Sequence, residues 1–224
     1  MAKSSVKENG GRIDDKLDAY NFILEKISRR EHLWSSDDQG RCYTLITNLK
    51  RELRSLIRVE GRKLQQIDIS NSQLTFLALE MKQSGVECSR YFDLCEQGML
   101  YEEVASHAKK TRSAVKKAIT QLALFSPNDA RCQKSKIKRI FDRLFPEVAS
   151  FLYTAKAVPE GHSKLAKTLQ AAEADLIINR VCGRLRRGDQ VSFVSPIHDC
   201  LIFLPEDAIR VQAAMEEELS LIHI

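Results

Sequence analysis

The stretch VSPIHDCLIFLP (residues 194–205) sets a His-Asp pair, His198 and Asp199, between two apolar runs. Val194 and Ile197 precede the pair; Leu201, Ile202, Phe203 and Leu204 follow it. Short runs rich in branched and aromatic residues read as strands, so the pair falls at a hairpin turn or a strand end. Asp is a common turn residue on its own account. What the pair does therefore depends on what else in the chain can meet it.

A second Asp has the same setting. In KLQQIDISNSQLTFLALEMKQSG (63–85), the first seven residues alternate like a half-buried strand. SQLTFLALEMKQ then reads as a helix closed by Gly85. Asp68 thus lies at a strand end, as Asp199 does. Two carboxylates from neighbouring strands can jointly hold two Mg²⁺ ions about 3.5–4 Å apart, the arrangement that drives in-line phosphoryl displacement. Oxygen donors suit Mg²⁺, which keeps some waters and binds through one or two carboxylates plus phosphates.

Around these strands the pattern is helical. Ile13, Leu17, Tyr20, Leu24 and Ile27 recur at helical spacing, and SSDDQGR (35–41) reads as a loop. TNLKRELRSLI (47–57) reads as a second helix with Thr47 or Asn48 at its cap. Residues 91–126 are helical with breaks at Gly98 and 108–111. Further helices are expected over 132–145, over 146–158 with Pro146 in the first turn, over 163–188, and from Pro205 onward. The expected fold class is α+β, mostly helical, with a small antiparallel sheet carrying Asp68 and Asp199.

Basic residues recur on these helices. Arg112 and Lys116, four apart in TRSAVKKAITQLALFS (111–126), share a face and could grip a triphosphate, the Arg by its fork and the Lys as a point charge. An isolated pair of this spacing is more commonly a solvated face. Arg51, Arg54 and Arg58 form one expected stripe; Arg180, Arg184 and Arg187 form another; Lys134, Lys136, Lys138, Arg139 and Arg143 crowd a third helix. Together these suit a phosphate-backbone footprint. The 224 residues carry 35 Lys+Arg against 30 Asp+Glu, a net charge of +5 that is compatible with nucleic acid without demanding it. Hydrophobic residues make up 43%, which argues against wholesale disorder. Six scattered cysteines contain no C-x-x-C pair, so a zinc site is not expected, and free thiols in a reducing cytosol are. No apolar run is long enough to span a bilayer, and the polar residues 1–11 lack a secretory h-region.

The order and character of these pieces resemble family A nucleic-acid polymerases, in a small phage-type or environmental branch, with the single-subunit phage-type RNA polymerases as a related comparison. The resemblance rests on IDISNSQ (67–73), on the R-x-x-x-K helix and on IHDCLIFLPE (197–206), in the family's order. It implies Asp68 and Asp199 as ligands of two Mg²⁺ ions and His198 beside the primer end. It also implies Arg112, Lys116 and Gln73 on the incoming nucleoside triphosphate, and Arg51, Arg54, Gln170 and Arg180 on the primer–template. It implies a palm-like core from 41–85 and 161–218 and a reduced fingers-like region from 86–160, after an N-terminal lead and helix over 1–40. The implied activity is template-directed nucleotidyl transfer, as a DNA polymerase, in the cytoplasm of a bacterial or phage-infected cell. A single-subunit RNA polymerase-like enzyme and a catalytically inactive nucleic-acid-binding remnant are the alternatives, and a helical interaction protein is an unrelated one.

Three positions depart from the family pattern. Thr120 and Leu124 stand where the family helix has an aromatic or Met and then a Tyr, and Gln73 stands where its DNA polymerases have Glu. The tail LSLIHI (219–224) matches one reading frame of a common sequencing adapter and is expected to lie outside the fold, in a chain that is a fragment or a minimal variant.

Overall fold

The hairpin expected around His198 and Asp199 forms in the computed structural model, which describes residues 17–31, 34–189 and 191–222. Strands β6 (Val194–Ile197) and β7 (Cys200–Phe203) pair antiparallel, with Ile197 opposite Cys200 across the two-residue turn. Strand β5 (Gln65–Asp68) adds to the other side of β7, giving the order β5-β7-β6. Leu201, Ile202 and Phe203 are accordingly buried. Pro196, which has no N–H to give a ladder, sits on the edge strand, where proline is tolerated. The side chain of Asp207 fixes the approach to β6 by accepting from the backbone N–H of Ser192 at 2.9 Å.

Helix α3 (Ser72–Gln83) follows β5 through Asn71, which takes a left-handed φ of 55° and is among the few residue types that visit that region readily. Leu74, Phe76, Leu77, Ala78 and Met81 are fully buried, so α3 is apolar on most of its circumference and forms the centre of the molecule. Against it pack α4 (Ser89–Glu96) and α10 (Gly161–Ala174). Beyond α4 come α5 (Leu100–Ala108), α6 (Arg112–Ala118), α7 (Ala130–Lys134), α8 (Lys136–Leu144) and α9 (Pro146–Ala157). Tyr91, Phe141 and Phe145 meet edge to face there, with the Tyr91–Phe145 centroids 5.4 Å apart. These rings belong to the same buried cluster as Leu74, Leu201 and Met215, so one core runs through both the 86–160 region and the sheet-bearing part. Helix α11 (Ala208–Ile222) follows and runs into the expected tail, with Leu219 packed against the core; His223 and Ile224 lie outside the described residues.

Several expected elements are corrected. The helix over 47–57 shrinks to α2 (Arg51–Arg54). Thr44 and Thr47 bond each other's backbone and hydroxyl groups, a local arrangement that competes with helix. Residues 58–63 then turn back as β3 (Arg58–Val59) and β4 (Arg62–Lys63), through Glu60 and Gly61, both at positive φ. Arg58 is therefore on a strand, and the Arg51/Arg54/Arg58 helical stripe does not form. The loop 35–41 belongs to a hairpin of β1 (Trp34–Ser36) and β2 (Cys42–Thr44). Its turn is closed by the Asp37 carboxylate, which accepts from the N–H of Gln39 and of Arg41, each at 3.0 Å. The helix over 132–145 is divided at Ser135, whose hydroxyl caps α8 by accepting from the Lys138 N–H. The N-terminal helix, α1, is described over 17–28; Ile13 and the polar lead lie outside the described residues.

Two helices continue in π form, α6 over Ile119–Leu124 and α10 over Asp175–Cys182. The end of the first leaves carbonyls without helical partners. Lys156 of α9, 8% exposed, meets them: its Nζ donates to the Ala123 and Ser126 carbonyls. Burial pulls this ammonium down to about 8. The folded value lies below the unfolded one, so the unfolded chain binds more protons between them and this lysine's contribution to stability rises with pH there. Wild type is expected to gain stability relative to Lys156→Met between pH 7.5 and 10 in urea unfolding; a constant difference between the two proteins would refute this.

Candidate functional site

The antiparallel register brings the backbones at Asp68, the end of β5, and at Asp199, in the β6–β7 turn, together from distant parts of the sequence. Asp68 is opposite Cys200, one residue from Asp199. The Ile69 N–H donates to the Asp199 carbonyl at 3.1 Å, so the two backbones are bonded at that point. Asp68 is exposed and Asp199 half-buried. The Ser72 hydroxyl, in the first turn of α3, donates to Asp199 Oδ2 at 2.7 Å and fixes that carboxylate. Burial and the two neighbouring carboxylates push the Cys200 thiol up to about 11, so it stays protonated beside them.

A buried charge cluster backs the pair. Glu173 of α10 has only 2% of its side chain exposed, and its two oxygens are both taken. Arg41 donates to Oε1 at 2.6 Å, and Gln73 Nε2 donates to Oε2 at 2.5 Å. Burial raises the Glu173 pKa, with Asp199 adding to the effect and Arg41 opposing it. His198 lies against Tyr43 edge to face, ring centroids 5.8 Å apart. Burial and the charge of Arg41 hold its pKa below the ordinary histidine value, against the pull of Asp199. Arg51 and Arg54 of α2 are near enough to lower the Cys200 pKa, so their positive charge faces the same end of the sheet.

Arg112 approaches from the other side. Its guanidinium pairs with Glu102 and lies over the Tyr101 ring, 5.4 Å from the centroid. Tyr101 in turn feels the charges of both Arg112 and Asp199, which links α6 to the sheet end. Lys116 is exposed on the same helix with no ion pair among the described residues. Arg180 is tied to Asp175 at 3.1 Å, and Gln170 is half-buried on α10 one turn before Glu173; no described contact joins either to the carboxylate pair. Asp68, Asp199, Arg51 and Arg54 thus all act on Cys200; Asp199, His198 and Gln73 adjoin the Arg41–Glu173 pair, and Arg112 reaches Tyr101.

No family model, curated protein or solved structure matches the chain. Among the described residues no helix is long and apolar enough to cross a membrane, and none of their His, Cys, Asp and Glu side chains form a group of three or more that could hold a metal ion. One concavity of about 1040 Å³, lined in part by Ile178, Cys182, Arg186, Phe193 and Pro196, does not include the two aspartates.

Sequence reasoning missed Arg41, Ser72, Tyr101 and Glu173. Glu173 had a readable signal: with Leu169, Leu176 and Ile177 it falls on the apolar face of its helix, where a charge is out of place unless paired. Arg41 had none, because the hairpin that delivers it is too short to show alternation.

Proposed function

We propose that the chain catalyses template-directed nucleotidyl transfer at the Asp68–Asp199 end of the sheet, as a family A-like DNA polymerase. The observation that carries this reading is the strand register that sets Asp68, at the end of β5, opposite Cys200 and so beside the backbone of Asp199 in the β6–β7 turn, 131 positions away in sequence. Two carboxylates are a fitting donor set for Mg²⁺, which completes its shell with water and phosphate oxygens. When bound there, Mg²⁺ supplies activation of a hydroxyl nucleophile and neutralisation of phosphate charge.

The protein's own groups account for the rest. Ser72 holds Asp199 in one orientation. Arg112 and Lys116 receive the triphosphate, Arg112 from a position already steered by Glu102 and the Tyr101 ring. Arg51 and Arg54 hold the primer–template backbone near the carboxylates, and His198, neutral at pH 7, borders the primer end.

Primer extension with Mg²⁺ and all four nucleotides tests the proposal: template-dependent products support it, and their absence from protein that still binds primer–template favours a non-catalytic nucleic-acid-binding domain. The engagement of Arg112 by Glu102 is the feature that favours that second reading. Arg112→Ala and Lys116→Ala are each expected to weaken triphosphate binding roughly 10- to 100-fold, since charge-assisted hydrogen bonds contribute about 1.5–3 kcal/mol. Template affinity should change less. The opposite pattern would make α6 a nucleic-acid clamp.

A further inference from the structure

A concavity of about 850 Å³ lies among α1, the β1–β2 hairpin, β3 and the start of β6, and neither aspartate lines it. Its volume is that of a small-molecule pocket, for which the usual range is roughly 300–1,000 Å³. The walls are largely apolar. Ile27 comes from α1, Ile46 from the turn after β2, Ile57 and Val59 from the approach to β3 and from β3 itself, and Phe193 from the approach to β6. All five are half-buried, so apolar surface remains there for a ligand to cover. Trp34 of β1 also lines the concavity and is 72% exposed, although tryptophan is highly buried on average.

Four charged side chains share this lining: Arg30, Glu31, Arg58 and Glu60. The two acids are answered by cations outside it, Glu31 by Lys26 at 2.6 Å and Glu60 by Arg62 at 2.5 Å. The two arginines are not answered by acids. Arg58 donates through one terminal nitrogen to the Ser55 and Ile57 carbonyls, each at 2.9 Å, which holds its guanidinium in place without neutralising it. The Arg30 side chain has no partner among the described residues. An apolar cavity with two unanswered guanidinium groups selects by charge as well as by shape. A cation is repelled, and a neutral apolar molecule leaves both arginines as they are. A single carboxylate matches an arginine fork through parallel N–H donors.

We propose that this concavity binds a small amphipathic acid, an apolar chain of fatty-acid size ending in one carboxylate, with the chain against Trp34 and the aliphatic wall and the carboxylate on Arg58 and Arg30. The site stands apart from the carboxylate pair, and its test leaves the nucleotidyl-transfer reading untouched.

Trp34 is the only tryptophan of the chain, so its fluorescence reports on this site alone. The full chain is titrated with decanoate, decanol and decylamine below their micellar or solubility limits. Decanoate is expected to shift the emission saturably to shorter wavelength, and the other two to bind at least about tenfold more weakly, the worth of a charge-assisted hydrogen bond. Arg58→Gln and Arg30→Gln should each narrow the gap between decanoate and decanol, and the double variant should close it. Arg30 has no described partner to lose, so its substitution reads the charge even where Arg58→Gln disturbs β3. An equal response to all three probes, or a preference for decanoate that survives both substitutions, overturns the proposal. So does a shift produced by phosphatidylglycerol vesicles or a single-stranded oligonucleotide but not by decanoate, which would make the face a membrane or nucleic-acid contact instead.

Discussion

Asp199→Asn is expected to abolish primer extension, by roughly 10³-fold or more, while primer–template affinity stays within a fewfold of wild type. The amide keeps an oxygen to accept from the Ser72 hydroxyl, so the hairpin and the first turn of α3 are preserved. What is lost is the negative charge. Asp68→Asn should do the same, and its exposed position makes a folding defect improbable as the cause. On the proposed function, affinity for the duplex survives because its phosphates would be met by Arg51 and Arg54, which neither change touches. Extension at a normal rate in either variant removes the carboxylate pair from the mechanism, and a matched fall in duplex affinity would mean that the pair holds the sheet end together instead.

A second large effect is expected on stability. Arg41→Met leaves the Glu173 carboxylate buried without its cation, and breaking a buried ion pair on one side costs about 3–5 kcal/mol. The loss should depend on pH. Burial already raises the Glu173 pKa, and removing Arg41 raises it further. A folded pKa above the unfolded one means that the group's contribution is fully present at low pH and falls as pH rises through the folded value. The deficit of Arg41→Met against wild type should therefore be larger at pH 7.5 than at pH 5 in urea unfolding. A deficit that is equal at both would show that Glu173 is not the group left exposed to the change.

The strand ending in Asp68 and the hairpin turning at Asp199 were legible because both lie in windows with clear alternation or apolar runs, and the register of β6 on β7 follows from a two-residue turn; the register of β5 on β7, which joins distant segments, does not. Helix α3 was legible to the residue, since Gly85 closes an unbroken apolar face. The failures have different physical origins. Thr44 and Thr47 diverted a helical-looking segment by bonding each other, and three-residue strands carry no period to detect. The π segment beginning at Ile119 limits the comparison at Thr120 and Leu124. Counting four residues per turn from Lys116 no longer keeps one face once the helix widens, so those two positions do not stack above Lys116 as an α-helical count implies. The cluster of Glu173, Arg41 and Gln73 joins three distant segments, and only the unexpected charge on an apolar helix face announced it.

The turn at His198 carries a wider consequence. Its φ of 54° closes the hairpin with a positive value at the first central position, where glycine is free of strain. Histidine tolerates that region better than most side chains but still at a cost on the order of 1 kcal/mol. Laboratory selection for heat resistance alone would therefore drift toward glycine at 198, whereas under the proposed function selection for turnover would hold the imidazole in place. If His198 serves the proposed reaction, the position is one at which robustness and chemistry pull the same residue in opposite directions.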